Sequence, residues 1–279
     1  MSIPTALHRS RIAWSYWWPI LTLTALAATV LIAPLFIDSG RPDFGIALTG
    51  PSAQHWAGTD HFGHDLAART LEGVRTSLLV AAACALLATV IGAVIGVFAA
   101  LIGGWVDALV MRIVDGINAL PHLVLGVVIA AMWRGAIIAI IASIALTHWP
   151  AVARIVRAEL LGANRHGWVE HAHLMHASRW FIARHHLFPA ISGQLLVAMV
   201  VLLPHAIWHE ATLSFLGVGL SPESASLGSL LNNARGDILT GAWWTLAIPG
   251  TALIVTALIA AVAAARLRTA FTPPEGHPR

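Results

Sequence analysis

Apolar runs long enough to cross a bilayer recur along this sequence, and they constrain the fold before any motif does. A spanning helix needs about 20 predominantly apolar residues. Such runs are read from about Trp14 to Ile37, Ser77 to Ile102, Val114 to Trp133, Ala136 to Ile155, Ile191 to Leu216 and Thr245 to Ala265. In lipid a backbone has to satisfy its own hydrogen bonds, so runs this long and continuous are read as helices. Only 10% of the 279 residues are charged, against about 25% in a soluble domain. The expected fold is an all-α integral membrane protein with six transmembrane helices.

The first run follows Arg9 and Arg11 and opens on Tyr16, Trp17 and Trp18, an interfacial aromatic belt. It is too long for the apolar part of a signal peptide. Pro34 and Phe36 stand where a small-residue cleavage site would be, so it is read as a retained anchor. All 16 basic residues are arginine, and the net charge of +3 is read by position rather than as a nucleic-acid footprint. With the N-terminus inside, the inner segments hold Arg9, Arg11, Arg112, Arg154, Arg157, Arg165, Arg179, Arg184, Arg266, Arg268 and Arg279. The outer segments hold Arg41, Arg69, Arg75, Arg134 and Arg235. This asymmetry puts both termini in the cytoplasm. The expected organisation is an anchor helix plus extracytoplasmic segment over 1–75, a transmembrane domain over 76–270 with a cytoplasmic loop at about 156–188, and a tail over 271–279.

No P-loop, G-x-S-x-G or H-E-x-x-H motif occurs, so no covalent chemistry is expected of the chain itself. A lone Cys84 in an apolar run gives no disulfide framework. Residues 168–189, at the end of the cytoplasmic loop, carry five histidines, His171, His173, His176, His185 and His186. The loop's apolar positions, among them Leu160, Trp168, Leu174, Trp180 and Phe181, fit short amphipathic helices that lie on the membrane face or enter a groove on a partner. His173 and His176 share a face, but His185 and His186 point apart and only Glu170 is a nearby carboxylate. A metal site wants converging ligands with support behind them, so the docking reading fits these residues better.

The fifth run carries a second set. His205 and His209 are four residues apart and lie on one helical face, with Glu210 adjacent. Ionisable groups within a span are costly and usually functional. Neutral imidazole suits nickel, copper, zinc or iron, so the pair reads as half of a metal site on a substrate pathway. The alternative is a polar patch in a watery passage, or histidines bonded to nearby backbone.

Four stretches then resemble a known family. Glu170-His171-Ala172, Ala177-Ser178 and Arg184-His185-x-Leu187 are similar to the EAA loop of permease subunits in ATP-binding-cassette importers. QHWAGTDHFGHDLAARTLEGVRTSL (54–78), GGWVDALVMRIVDGINALP (103–121) and EATLSFLGVGLSPESASLGSLLNNAR (210–235) resemble its dipeptide, oligopeptide and nickel branch. There are departures. His171 replaces Ala, His176 replaces Gly, His64 replaces Arg, Leu227 replaces Trp, and the C-terminal ARLRTAFTPPEG lacks the branch's usual ending.

The resemblance implies a type I importer permease fold in a bacterial inner membrane. It implies a coupling helix in which Glu170, His171, Ala172, His176, Ala177, Ser178, Arg184 and His185 contact an ATPase. The implied partners are a second permease subunit, two cytoplasmic ATP-binding subunits, an extracytoplasmic solute-binding protein and membrane lipid, with no nucleic acid. No cofactor is expected on this chain, and ATP and magnesium belong to the partner ATPases. The chain is expected not to be an enzyme. His55, His61, His148, His205 and His209 look similar to the nickel subgroup, so nickel or a small metal chelate is the expected cargo, with His205, His209 and Glu210 on the pathway. Peptide import by the same mechanism is the alternative. A stand-alone secondary transporter is the alternative of another class, but the inverted repeats it calls for are not found in the sequence.

Overall fold

The computed structural model describes residues 18, 21–25, 27–32, 37, 40–133, 135–163, 188–221 and 224–271. Helix α1 (Leu21–Ile32) belongs to the first apolar run. A loop follows, and Asp65 starts the longest helix, α2 (Leu66–Ile102), by accepting the Ala67 and Ala68 N–H groups at 2.9 and 3.1 Å. Gly103 and Gly104, both at positive φ, turn the chain directly into α3 (Gly104–Ala119). Then come α4 (His122–Met132), α5 (Ile137–Ala163), α6 (Phe188–Phe215), α7 (Leu227–Asp237) and α8 (Trp244–Phe271).

Helices α2, α5, α6 and α8 are long and apolar enough to cross a membrane; α3 and α4 together make a fifth crossing only as a pair bent by 89°. The continuous span expected over Val114–Trp133 is therefore corrected. Pro121 lacks an N–H and disfavours helical backbone at Leu120, which is extended at φ −85°, ψ 141°. Residues 114–119 complete α3 instead, whose Asp107, Arg112 and Asp115 suit a membrane face. The remaining α4 has 11 residues, about 16 Å of helix, roughly half of a hydrocarbon core. The crossing expected over Trp14–Ile37 is described only in part.

Small residues set the closest helix contact. A Cβ on Gly92 would lie 2.5 Å from Val152 Cβ, and one on Gly96 would lie 2.6 Å from the Ala153 carbonyl oxygen. The GAVIG segment thus lets α2 lie directly on α5. Short α7 is tucked among α2, α6 and α8, with Leu227 and Leu230 buried. Its start carries a capping box between Ser226 and Ser229. Two ion pairs hold α3 to the far end of α5. Arg154 Nη2 lies 2.6 Å from Asp115 Oδ1, and the Arg157 guanidinium donates through Nε and Nη2 to both oxygens of Asp107.

Candidate functional site

Glu210 is the centre of a buried polar knot. It is fully buried, and it accepts from Ser77 Oγ at 2.6 Å and from Ser214 Oγ at 2.9 Å. Each hydroxyl in turn accepts a backbone N–H: Ser77 from Leu227 at 3.1 Å, Ser214 from Leu220 at 3.1 Å. One carboxyl group therefore fastens α2, α6 and the start of α7 together. The sequence reading put Glu210 on the substrate pathway. The structure places it inside the packing, where its oxygens are occupied by hydroxyls of this chain.

The neighbouring histidines face elsewhere. His205 is exposed on α6 and His209 is half-buried one turn on. The His209 ring meets His148 of α5 with centroids 4.9 Å apart, and His148 meets His122 of α4 at 5.5 Å. His148 Nδ1 lies 2.9 Å from both Ile144 O and Thr147 Oγ1, and the carbonyl, which only accepts, favours a proton on Nδ1. The same holds for His205 Nδ1 and Val201 O at 3.2 Å. In that tautomer Nε2 is the ring nitrogen that carries the lone pair. Among the described residues, no group of three or more His, Cys, Asp or Glu converges closely enough to enclose a metal ion. His122 was not singled out from the sequence. The signal for it was its place directly after Pro121, at the start of a helix.

Two of the histidines before α2 are engaged within this chain. His55 Nδ1 lies 3.0 Å from Asp65 Oδ2, and His64 Nδ1 lies 3.1 Å from Asp60 Oδ2. Asp60 Oδ1 also accepts the Phe62 and His64 N–H groups at 2.9 Å each. His61 Nδ1 is 3.4 Å from Asp237 Oδ2, beyond good hydrogen-bond geometry. Trp244 Nε1 donates to Thr59 O at 3.2 Å. The GTDHFGHD segment is thus a self-bonded turn seated on the N-terminal end of α8, and α2 grows from it.

The expected coupling residues Glu170, His171, Ala172, His176, Ala177, Ser178, Arg184 and His185 lie outside the described residues. What is described is their mounting. Helix α5 runs to Ala163 and is clamped to α3 through Arg154 and Arg157, nine and six residues before that end.

Residues 92–273 match the family model of the binding-protein-dependent transport system inner membrane component. A putative peptide permease protein of Brucella suis biovar 1 is 37% identical over 257 residues, covering 91% of this chain and 85% of that protein. A putative peptide transport system permease protein of Brucella melitensis biotype 1 is 35% identical over 257 residues, covering 91% and 86%. A dipeptide transport system permease protein of Bacillus subtilis is 35% identical over 206 residues, covering 74% and 64%. A bent α3–α4 pair, four long apolar helices and this agreement over most of the length lead to one conclusion: the chain belongs to the family of inner-membrane components of binding-protein-dependent transport systems, as a multi-pass permease subunit of an ABC importer.

Proposed function

We propose that the chain forms half of the translocation pathway of an importer for short peptides. It pairs with a second permease subunit, receives cargo from an extracytoplasmic binding protein and is driven by two ATPase subunits acting on segment 164–187. The observation that carries the peptide reading is the likeness, over 91% of the chain, to proteins named as peptide permeases. Six crossings with both termini in the cytoplasm remain part of the proposal, carried by the arginine asymmetry. The test is ATP-dependent accumulation of labelled di- and tripeptides in proteoliposomes holding the complete importer, with Glu170→Ala expected to abolish it.

Nickel, the cargo expected from the histidine positions, is the second reading. In its favour stand the ring contacts of His122, His148 and His209. Against a bare-ion cage stands the absence, among the described residues, of a third donor converging with any pair.

A further inference from the structure

We propose that the cavity where α2, α5 and the segment before α7 meet binds the C-terminal carboxylate of a short peptide, with Arg75 as the receiving cation. This rests on the peptide-importer reading above and deepens it by giving the cargo a site on this chain.

The cavity holds about 580 Å³, within the range of small-ligand sites, about 300–1,000 Å³. Its polar wall is one stripe of α2. Arg69, Glu72 and Arg75 stand three residues apart and so lie along one helical face. Leu79 of α2 with Ile137 and Ile141 of α5 make an apolar wall, and Ser224 lines the remaining side. Both helices begin at this end of the bundle, whereas Ala163, next to the proposed coupling loop, ends α5 at the other. In the orientation proposed above, the cavity lies at the face where the binding protein delivers cargo.

The charges around the cavity are unequally matched. Arg69 Nη1 faces Glu72 Oε2 at 3.4 Å. Arg75 has no comparable partner: its Nε is buried without a hydrogen bond among the described residues. Leaving a polar group of this kind unpaired is costly, and folded proteins satisfy nearly all of them. A guanidinium is a planar fork whose geometry matches a carboxylate through two parallel hydrogen bonds. The start of α5 adds to the attraction, because the first N–H groups of a helix carry a partial positive charge and Ile137 is the first residue of α5. The partner that Arg75 lacks is therefore an anion that enters the cavity.

Glu72 narrows the class of anion. Its 3.4 Å contact with Arg69 is longer than a close charged pair, about 2.7–2.9 Å, and a carboxylate has further acceptor positions. It disfavours a second anionic group beside it and attracts an ammonium. A short peptide carries one charge of each sign. The two ends of an extended dipeptide are about 7 Å apart, and side chains three apart on a helix start about 5–6 Å from each other. The peptide carboxylate on Arg75 thus brings the peptide ammonium to Glu72. Apolar contact is non-directional, so the wall of Leu79, Ile137 and Ile141 accepts side chains of differing shape. Charged termini are common to all short peptides, and a site that reads them holds cargo of varied sequence. Two rim charges also let the cargo go again, which a transport path needs.

The test uses the assembled importer, this chain with its permease and ATPase partners, in phosphatidylcholine nanodiscs. The binding protein is left out so that its own recognition of peptide does not contribute. Binding of labelled leucyl-leucine is measured by equilibrium dialysis, at rest and with the ATPases held by vanadate. Leucyl-leucine amide, which lacks the carboxylate, is expected to compete at least ten-fold more weakly than the acid. Arg75→Gln is expected to weaken the acid at least ten-fold and leave the amide unchanged, and Arg75→Lys to recover part of the loss. Arg235→Gln, which alters a cation stacked on Phe215, is expected to change neither. No binding in either state, or equal affinity for acid and amide in the unmodified importer, overturns the proposal without any variant. An Arg75→Gln importer that loses acid and amide equally also overturns it, and makes Arg75 a packing residue. Loss of leucyl-leucine binding when phosphatidylethanolamine or phosphatidylglycerol is added to the nanodiscs overturns it in favour of a lipid headgroup. Peptide accumulation by the complete importer, with equal affinity for acid and amide here, sinks this inference alone. Arg75-dependent binding of leucyl-leucine, with no accumulation of any peptide, sinks the import reading alone.

Discussion

Ser77 on α2 donates a 2.6 Å hydrogen bond to Glu210 on α6, and both side chains are fully buried. The two residues are 133 positions apart in sequence, so this contact holds together parts of the fold that chain connectivity does not. Ser77 at the same time receives the Leu227 N–H at the start of α7. A single acid thus sets the relative position of α2, the helix bearing His205 and His209, and the short α7.

Removing that acid is expected to destabilise the subunit. Glu210→Ala leaves two buried hydroxyls without their acceptor, at a cost of about 1–3 kcal/mol each. Glu210→Gln keeps the volume and one acceptor oxygen, so its loss is expected to be the smaller. The midpoint of thermal aggregation of the detergent-solubilised importer reads both. A Glu210→Ala importer as stable as the unmodified one would contradict the structural role given to this residue.

Gly92 and Gly116 are expected to behave oppositely. A leucine at Gly92 has to displace Val152 and the Trp149 carbonyl, so α2 and α5 no longer seat and assembled importer is lost from the membrane. An alanine at Gly116 meets nothing within 4 Å, and in mid-helix it is expected to be neutral or stabilising by about 0.5–1 kcal/mol. Membrane yield and gel-filtration profile compare them directly. Equal tolerance at the two sites would mean that α2 does not lie on α5 through this face.

The clamp between α3 and α5 is expected to matter for coupling. Asp107→Arg is expected to lower the amount of peptide imported per ATP hydrolysed several-fold, because like charges then face each other near the C-terminal end of α5, next to the proposed coupling loop. Asp107→Arg with Arg157→Asp restores an opposite pair and is expected to recover most of the ratio. Uptake and phosphate release measured in the same proteoliposomes give that ratio. A double exchange no better than the single change would assign these residues to stability alone.

The arrangement of the long helices was readable because spanning segments are selected by length and apolarity, and the starts of α6 and α8 fall within a few residues of the runs that foretold them. The third run misled because a window of hydropathy does not register direction. Leu120-Pro121 breaks the run, and its first six residues belong to α3, which carries Asp107, Arg112 and Asp115. Helix α7 went unread for the opposite reason: LGSLLNNARGD is too polar to draw attention, although Ser226 and Ser229 form its capping box. At the site, the four-residue spacing placed His205 and His209 on one face. Their meeting with His148 and the approach of His122 depend on how α4 and α5 pack, which no spacing within one segment expresses. Glu210 is adjacent to His209 in sequence, but neighbouring residues on a helix point about 100° apart, and its carboxyl group accepts from Ser77 and Ser214.

A substitution in the proposed coupling loop addresses force transmission. Glu170→Ala, or two glycines inserted beside Ala172, is expected to leave membrane insertion and basal ATP hydrolysis intact while peptide uptake falls at least ten-fold. Normal uptake in either variant would remove the coupling role from segment 164–187.

The most direct measurement of the account is peptide accumulation in proteoliposomes built from this chain, its partner permease, both ATPases and the binding protein. Labelled dipeptide is expected to accumulate only when ATP, the ATPases and the binding protein are all present, and to stop when this chain is omitted. Accumulation driven by this chain alone, without ATP or partners, would contradict the account, as would a complete, ATP-hydrolysing importer that moves no peptide.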